Sequence, residues 1–256
     1  MTAAGDTLPT TRAELASRLG SLRDRIAAAA RQAGRDPDQV QLLAVSKGHP
    51  AAALRQAAEL GLRQFGESYV SEATGKLAEL SDLAASWVYL GPIQSNKTRP
   101  IAEQFDWVLG LAAERVARRL TAQRPEHLAP LQACIQVNVD GDPAKSGIPV
   151  TELDALLDAV DGVAGIEVRG LMTIPRAPEP GRPSTVERTF ATLAELFAEQ
   201  VAAGRRWDTL SMGMSGDFET AIAHGSTQVR LGTALFGPRR YHVVADHGDQ
   251  GGDDRG

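Results

Sequence analysis

The feature that most constrains this chain is a repeated alternation, in which short, almost wholly apolar runs are separated by stretches with helical spacing. The runs are "VQLLAVS" from Val40, "LRQFGE" from Leu62, "SWVYLG" from Ser86, "FDWVLG" from Phe105, "LQACIQVNV" from Leu131, "IEVRGLMTI" from Ile166, "DTLSMGM" from Asp208 and "TQVRLGTALFG" from Thr227. They give about eight strand candidates, the number that closes a parallel β/α barrel. Strands covered on both faces lose the polar alternation of a half-exposed sheet, which explains why many runs are apolar at nearly every position. Helical patterns fall between most of them, for example from about Ala51 to Leu60 and from about Tyr69 to Leu80. In front, "TTRAELASRLGSLRDRIAAAARQAG" spaces Leu15, Leu19, Leu22 and Ile26 three or four apart and ends on Gly34, the pattern of an amphipathic helix with a stop signal. An open doubly wound sheet is the rival fold, but no G-x-G-x-x-G follows the first run. The expectation is an α/β chain forming a single (β/α)8 TIM barrel over residues 10–240 with an extra N-terminal helix. A flexible stretch at 1–9 precedes it and a polar, disordered tail at 241–256 follows. The loop "TIPRAPEPGRPST" holds four prolines and follows a strand, so it is expected to be a mobile flap.

Several function classes lose support from composition. A net charge of −5 provides no general attraction to nucleic acid or to an anionic membrane surface. The single cysteine, Cys134, cannot form an internal disulfide, and no Cys/His cluster has metal-binding spacing. No bilayer-length apolar window occurs, and "MTAAGDTLPTTRAEL" does not read as a secretory leader. The expected address is the cytoplasm, with no metal, nucleic acid or membrane partner.

In a β/α barrel, chemistry gathers where strands end, because one rim collects all the following loops. Unusual polar residues fall at these ends repeatedly: Lys47, Glu67, Ser68, Asn138, Thr173, Ser211 to Ser215, Arg230, Gly232 and Thr233. Each has an ordinary reading. Lys47 could be a solvated loop residue, Ser215 an N-cap for the following helix, Arg230 a partner of a carboxylate, and Gly232 and Thr233 a simple turn. Together, Ser215, Gly232 and Thr233 place hydroxyls and bare backbone near the last two strands, where barrels commonly hold phosphate. A lysine facing a phosphate site suggests pyridoxal 5′-phosphate, whose aldehyde a neutral amine captures as a Schiff base; burial at a strand end would supply the neutral fraction.

The segments "LLAVSKGHP", "FGESYVSEA", "GPIQSNK", "VNVDGDPAKSGI", "RGLMTIP" and "LSMGMSGDFETAIAHGSTQVRLGTALFG" resemble the pyridoxal phosphate homeostasis protein family (YggS/PROSC) from about Val40 to Gly237. The resemblance implies a fold-type III barrel like the N-terminal domain of alanine racemase, with the cofactor held on Lys47. It also implies that Arg230 faces the pyridine nitrogen, that Ser215, Gly232 and Thr233 bind phosphate, and that Met214 sits beside them. A guanidinium only donates, so the ring nitrogen would stay unprotonated and the cofactor would be a weak electron sink. Asn138 and Lys145 take no role. The chain departs from the family where "FGEN" reads "FGES", replacing an asparagine near the cofactor with the shorter Ser68. It also departs where "WHFIGHLQ" reads "WVYLGPIQ", putting Val88 and Pro92 at frequent histidine positions.

Alanine racemase takes its second base, a tyrosine, from a further β domain, and this chain ends soon after the barrel. None of Tyr69, Tyr89 and Tyr241 matches that base. The expected function is therefore a carrier or regulator in intracellular vitamin B6 homeostasis, with no catalytic residues. It would be a monomer, with pyridoxal-phosphate-dependent apoenzymes as candidate recipients. A weak amino-acid racemase is the alternative. A serine hydrolase built on Ser215 has little support, since "GMSGD" is not G-x-S-x-G and no histidine can be assigned as its base.

Overall fold

A computed structural model describes residues 10–177 and 185–239. The expectations for residues 1–9, for the tail and Tyr241, and for most of the proline-rich loop lie outside the described residues. Eight strands close into a barrel in sequence order: β1 (Gln41–Val45), β2 (Gln64–Glu67), β3 (Ser86–Tyr89), β4 (Trp107–Leu111), β5 (Leu131–Gln136), β6 (Ile166–Met172), β7 (Thr209–Ser211) and β8 (Gln228–Leu231). All neighbours are parallel, including β8 with β1. Each coincides with one of the apolar runs, β4 running one residue past its end, so the (β/α)8 expectation holds.

The leading helix α1 (Arg12–Gln32) begins with a capping box. The Thr11 side chain accepts from Glu14 N at 3.2 Å and Glu14 reaches back to Thr11 N at 2.8 Å. Its buried stripe is Leu15, Leu19, Leu22, Ile26 and Ala30. The outer ring continues with α2 (Ala51–Glu59), α3 (Val70–Glu79), α4 (Thr98–Gln104), α5 (Glu114–Gln123), α6 (Leu153–Val160), α7 (Val186–Ala202), α8 (Phe218–Ala223) and the short α9 (Thr233–Phe236). Helix α1 packs on α8 and α9, and Thr10 Oγ1 donates to Phe236 O at 2.9 Å. The start of the described chain is thus fastened to its end, beside the last two strands.

Two kinds of core result. The larger, between strands and helices, is apolar and includes Phe65, Phe105, Phe190 and Phe218. Inside the barrel, Leu43, Val88, Leu109, Cys134 and Met172 fill one side. The other side is polar: Arg230 donates to Ser211 Oγ at 3.0 Å, Ser211 Oγ donates to Gln228 Oε1 at 2.9 Å, and Gln228 Nε2 donates to Gln64 Oε1 at 3.3 Å. This division sets the position of the site, because the polar side rises toward the rim where β1, β2, β7 and β8 end.

Candidate functional site

A cavity of about 330 Å³ opens at that rim. Lys47, Ser68, Met214, Ser215, Arg230, Gly232 and Thr233 all line it, so every site residue expected from the sequence is brought together. Leu90, Met172 and Ile174 form its apolar wall, and Val45, Gly216 and Arg239 complete the lining.

Lys47 stands in a tight turn that reverses the chain immediately after β1. His49 N donates to Ser46 O at 3.0 Å, and Gly48 has φ +76°, the left-handed conformation a turn of this kind requires at its third residue. The amine is pulled below the usual lysine range, first by burial and then by repulsion from Arg239 and Arg230; Glu67 and Glu72 oppose the shift. Its side chain is half-buried at the cavity wall rather than fully solvated.

Arg230 is buried on β8, and the partners found for it among the described residues are neutral oxygens rather than a carboxylate. One terminal nitrogen donates to Ser211 O at 2.7 Å and Ser211 Oγ at 3.0 Å, the other to Thr173 O at 2.8 Å. Burial pushes its pKa down to about 10, still high enough to keep the guanidinium charged at neutral pH. The cation bridges β8, β7 and the end of β6 below the cavity floor.

The loop after β7 owes its shape to Gly213. Its φ is +96°, and a side-chain carbon there would lie 2.6 Å from Ala221 Cβ and 3.0 Å from Phe218 Cα. Asp217, not Ser215, occupies the N-cap position of the helix that follows, and its Oδ1 accepts from Met214 N at 2.6 Å within the loop itself. Among the described residues, the Ser215 hydroxyl and the N–H groups of Ser215 and Gly216 have no protein acceptor or donor. Met214 is exposed at the cavity edge.

Other rim residues do different work. Asn138 exchanges two hydrogen bonds with the Asp142 backbone, at 2.8 and 3.1 Å, and so shapes its own loop. Lys145 donates to Ile174 O at 3.0 Å. Val88 is buried in the apolar interior, and neither it nor Pro92 lines the cavity, so the absent histidines are not cavity residues here. Tyr89 packs edge-on against Phe105 at 5.3 Å, and neither Tyr69 nor Tyr89 lines the cavity. Sequence reading missed Arg239, whose only signal was a cation just past the last apolar run. Among the described residues no group of His, Cys, Asp and Glu could hold a metal ion, and no helix is long and apolar enough to cross a membrane.

The family model described as alanine racemase, N-terminal domain, matches residues 17–240. A pyridoxal phosphate homeostasis protein of Pseudomonas aeruginosa is 51% identical over 232 residues, covering 90% of this chain and 98% of the relative. This chain belongs to the pyridoxal phosphate homeostasis protein family. Its Escherichia coli relative of that name is 45% identical over 234 residues, covering 89% of this chain and 98% of the relative. Among solved structures, PipY of Synechococcus elongatus with PLP bound matches at TM-score 0.75 and 39% identity, covering 87% of this chain and all of PipY. Alanine racemase of Corynebacterium glutamicum, at 18% identity and TM-score 0.60, covers 88% of this chain and 63% of the racemase, and shares the fold.

Proposed function

We propose that this chain binds pyridoxal 5′-phosphate at the C-terminal rim of the barrel and serves as an intracellular carrier and regulator of that cofactor. The observation that carries the reading is the joining, in one cavity, of a lysine biased toward its neutral form and a loop with uncommitted hydroxyl and N–H donors. When bound, pyridoxal phosphate supplies an aldehyde that a primary amine captures and a phosphate that anchors it. The donor set fits that group. Lys47 is the nucleophile, Ser215, Gly216, Gly232 and Thr233 receive the phosphate, and Met214 borders them. Leu90, Met172 and Ile174 would offer the ring an apolar wall, and Ser68 lines the cavity just past the end of β2.

Arg230 determines what the site does with its ligand. Still charged at neutral pH, its guanidinium could only donate to a ring nitrogen placed beside it, which would then stay unprotonated and withdraw few electrons. Among the described residues lining the cavity there is no histidine, tyrosine or carboxylate to stand as a second base beside Lys47. Both features support holding and passing on the cofactor over racemisation, and the lack of a lining histidine disfavours a Ser215 hydrolase. A cytoplasmic monomer that hands its cargo to apoenzymes completes the reading.

The test is to saturate the purified protein with pyridoxal phosphate, record the near-ultraviolet and visible absorbance, reduce with borohydride and map peptides. A pyridoxyl mass on the "AVSKGHP" peptide is expected, and its absence would overturn the reading. Steady, Lys47-dependent exchange of an amino acid's α-proton would instead favour a weak racemase.

A further inference from the structure

Behind the turn that presents Lys47 lies a buried ionic cluster, none of whose charged residues lines the cavity. Glu67 ends β2, and Glu72 and Lys76 are one turn apart on α3, facing the barrel wall. Glu67 is fully buried and Lys76 is 5% exposed. Lys76 Nζ donates to Ser46 O at 2.8 Å, to Glu67 Oε1 at 2.7 Å and to Glu72 Oε1 at 2.5 Å. Ser46 Oγ donates to the same Glu67 oxygen at 2.6 Å. On the other flank, the Gly48 N–H donates to Glu72 Oε1 at 2.7 Å. The residues immediately before and after Lys47 are therefore gripped by one cluster.

Buried ion clusters are poor sources of stability, because desolvation offsets most of their mutual attraction and well-packed apolar side chains serve as well. Leucines at these positions on α3 could fill the same layer. They could not accept from the Gly48 N–H, nor donate to the Ser46 carbonyl. What the cluster adds over an apolar layer is the orientation of the peptide groups on either side of the lysine.

Building on the pyridoxal phosphate reading, we propose that Glu72 is a positioning residue: seated by Lys76, which Glu67 holds in turn, it locks the Ser46–Gly48 turn so that Lys47 meets the aldehyde from a fixed direction. The charged groups acting on Lys47 are Glu67 on β2, Glu72 on α3, Arg230 on β8 and Arg239 beyond α9, with Lys76 compensating the two carboxylates. Glu72 also favours the protonated amine, so its loss as a charge and its loss as an acceptor have separable consequences.

Three variants divide these roles. Glu72→Ala removes acceptor and charge, Glu72→Asp keeps the charge but is one methylene too short for Gly48, and Glu72→Gln keeps an acceptor without the charge. Covalent capture of pyridoxal phosphate is followed by absorbance across pH, and non-covalent binding by titration with pyridoxine 5′-phosphate, which has the ring and phosphate but no aldehyde. The expected result is capture slowed about tenfold or more in Glu72→Ala and Glu72→Asp, with pyridoxine 5′-phosphate affinity within about threefold of wild type, since a misaimed nucleophile loses rate without losing the site. Glu72→Gln should retain the wild-type maximum rate, with the rising limb of its pH profile moved to lower pH. If Glu72→Ala does not fold, Glu72→Asp carries the test. Capture at the wild-type rate in Glu72→Asp would overturn the proposal, as would a parallel loss of pyridoxine 5′-phosphate affinity or a Glu72→Gln as slow as Glu72→Ala. A wild-type protein that forms no adduct on Lys47 would overturn the cofactor reading itself and this inference with it, whereas normal wild-type capture with unaffected variants would sink only the role of Glu72.

Discussion

Among the individual residues, Lys47 has the most direct chemical consequence. Burial and two neighbouring arginines push its pKa down, so the neutral amine is present at lower pH than for a free lysine. Only that form attacks an aldehyde. The rate of capture should therefore rise with pH and level off at a midpoint below the usual lysine value of about 10.4. Stopped-flow absorbance carried to a pH above the free-lysine value would read the midpoint, and a midpoint at or above about 10.4 would contradict the burial argument. Lysine at position 47 was legible because a polar residue ending an apolar run is conspicuous. Glu72 and Lys76 were not, because a glutamate and a lysine four apart on an amphipathic helix look like a solvated pair; only the packing of α3 on β2 and on the turn after β1 shows that they are buried. Taken alone Ser215 also reads as a helix cap, since serine is favoured there, but the helix begins later and Asp217 stands at its N-cap position.

Among the secondary-structure elements, the strands were readable since parallel strands covered on both faces become continuous apolar runs, but their ends were not. The run "DTLSMGM" extends to Met214, whereas β7 stops at Ser211 and Gly213 turns the chain. That glycine is what converts a strand end into a ligand loop, and its replacement should show it. Gly213→Ala meets both a left-handed φ and a contact 2.6 Å from Ala221 Cβ, so the loop must shift or α8 must move. We expect a stability loss of about 1–3 kcal/mol in urea unfolding, from overpacking together with backbone strain. Affinity for pyridoxal phosphate should also fall, because Ser215 and Gly216 ride on the displaced loop. Unchanged affinity would show that these donors do not hold the phosphate.

At the scale of the whole barrel, the closure is uneven. β5 and β6 pair over six register positions, whereas β7 and β8 share only Ser211 with Gln228. Side chains reinforce that thin seam: Ser226 Oγ donates to Met212 O at 2.8 Å, Leu210 N donates to Thr227 Oγ1 at 2.8 Å, and Arg230 reaches across β7 to Thr173 O at 2.8 Å. The cavity sits on the same seam, bordered by residues following β7, on β8 and following β1. A ligand that joins Lys47 to the loop after β7 would add a cross-link beside the shortest strand ladder of the barrel. Binding to the native state alone stabilises it by mass action, and the gain should concentrate where the ligand bridges otherwise weakly paired elements. Amide hydrogen exchange with and without pyridoxal phosphate should therefore slow most in β7, β8 and the start of α8, and little in β4 and β5. Lys47→Ala, which keeps the phosphate donors but loses the covalent anchor, should retain only part of that protection. Slowing spread evenly around the barrel would mean that the ligand stabilises the fold as a whole, and that the thin seam is not where it acts.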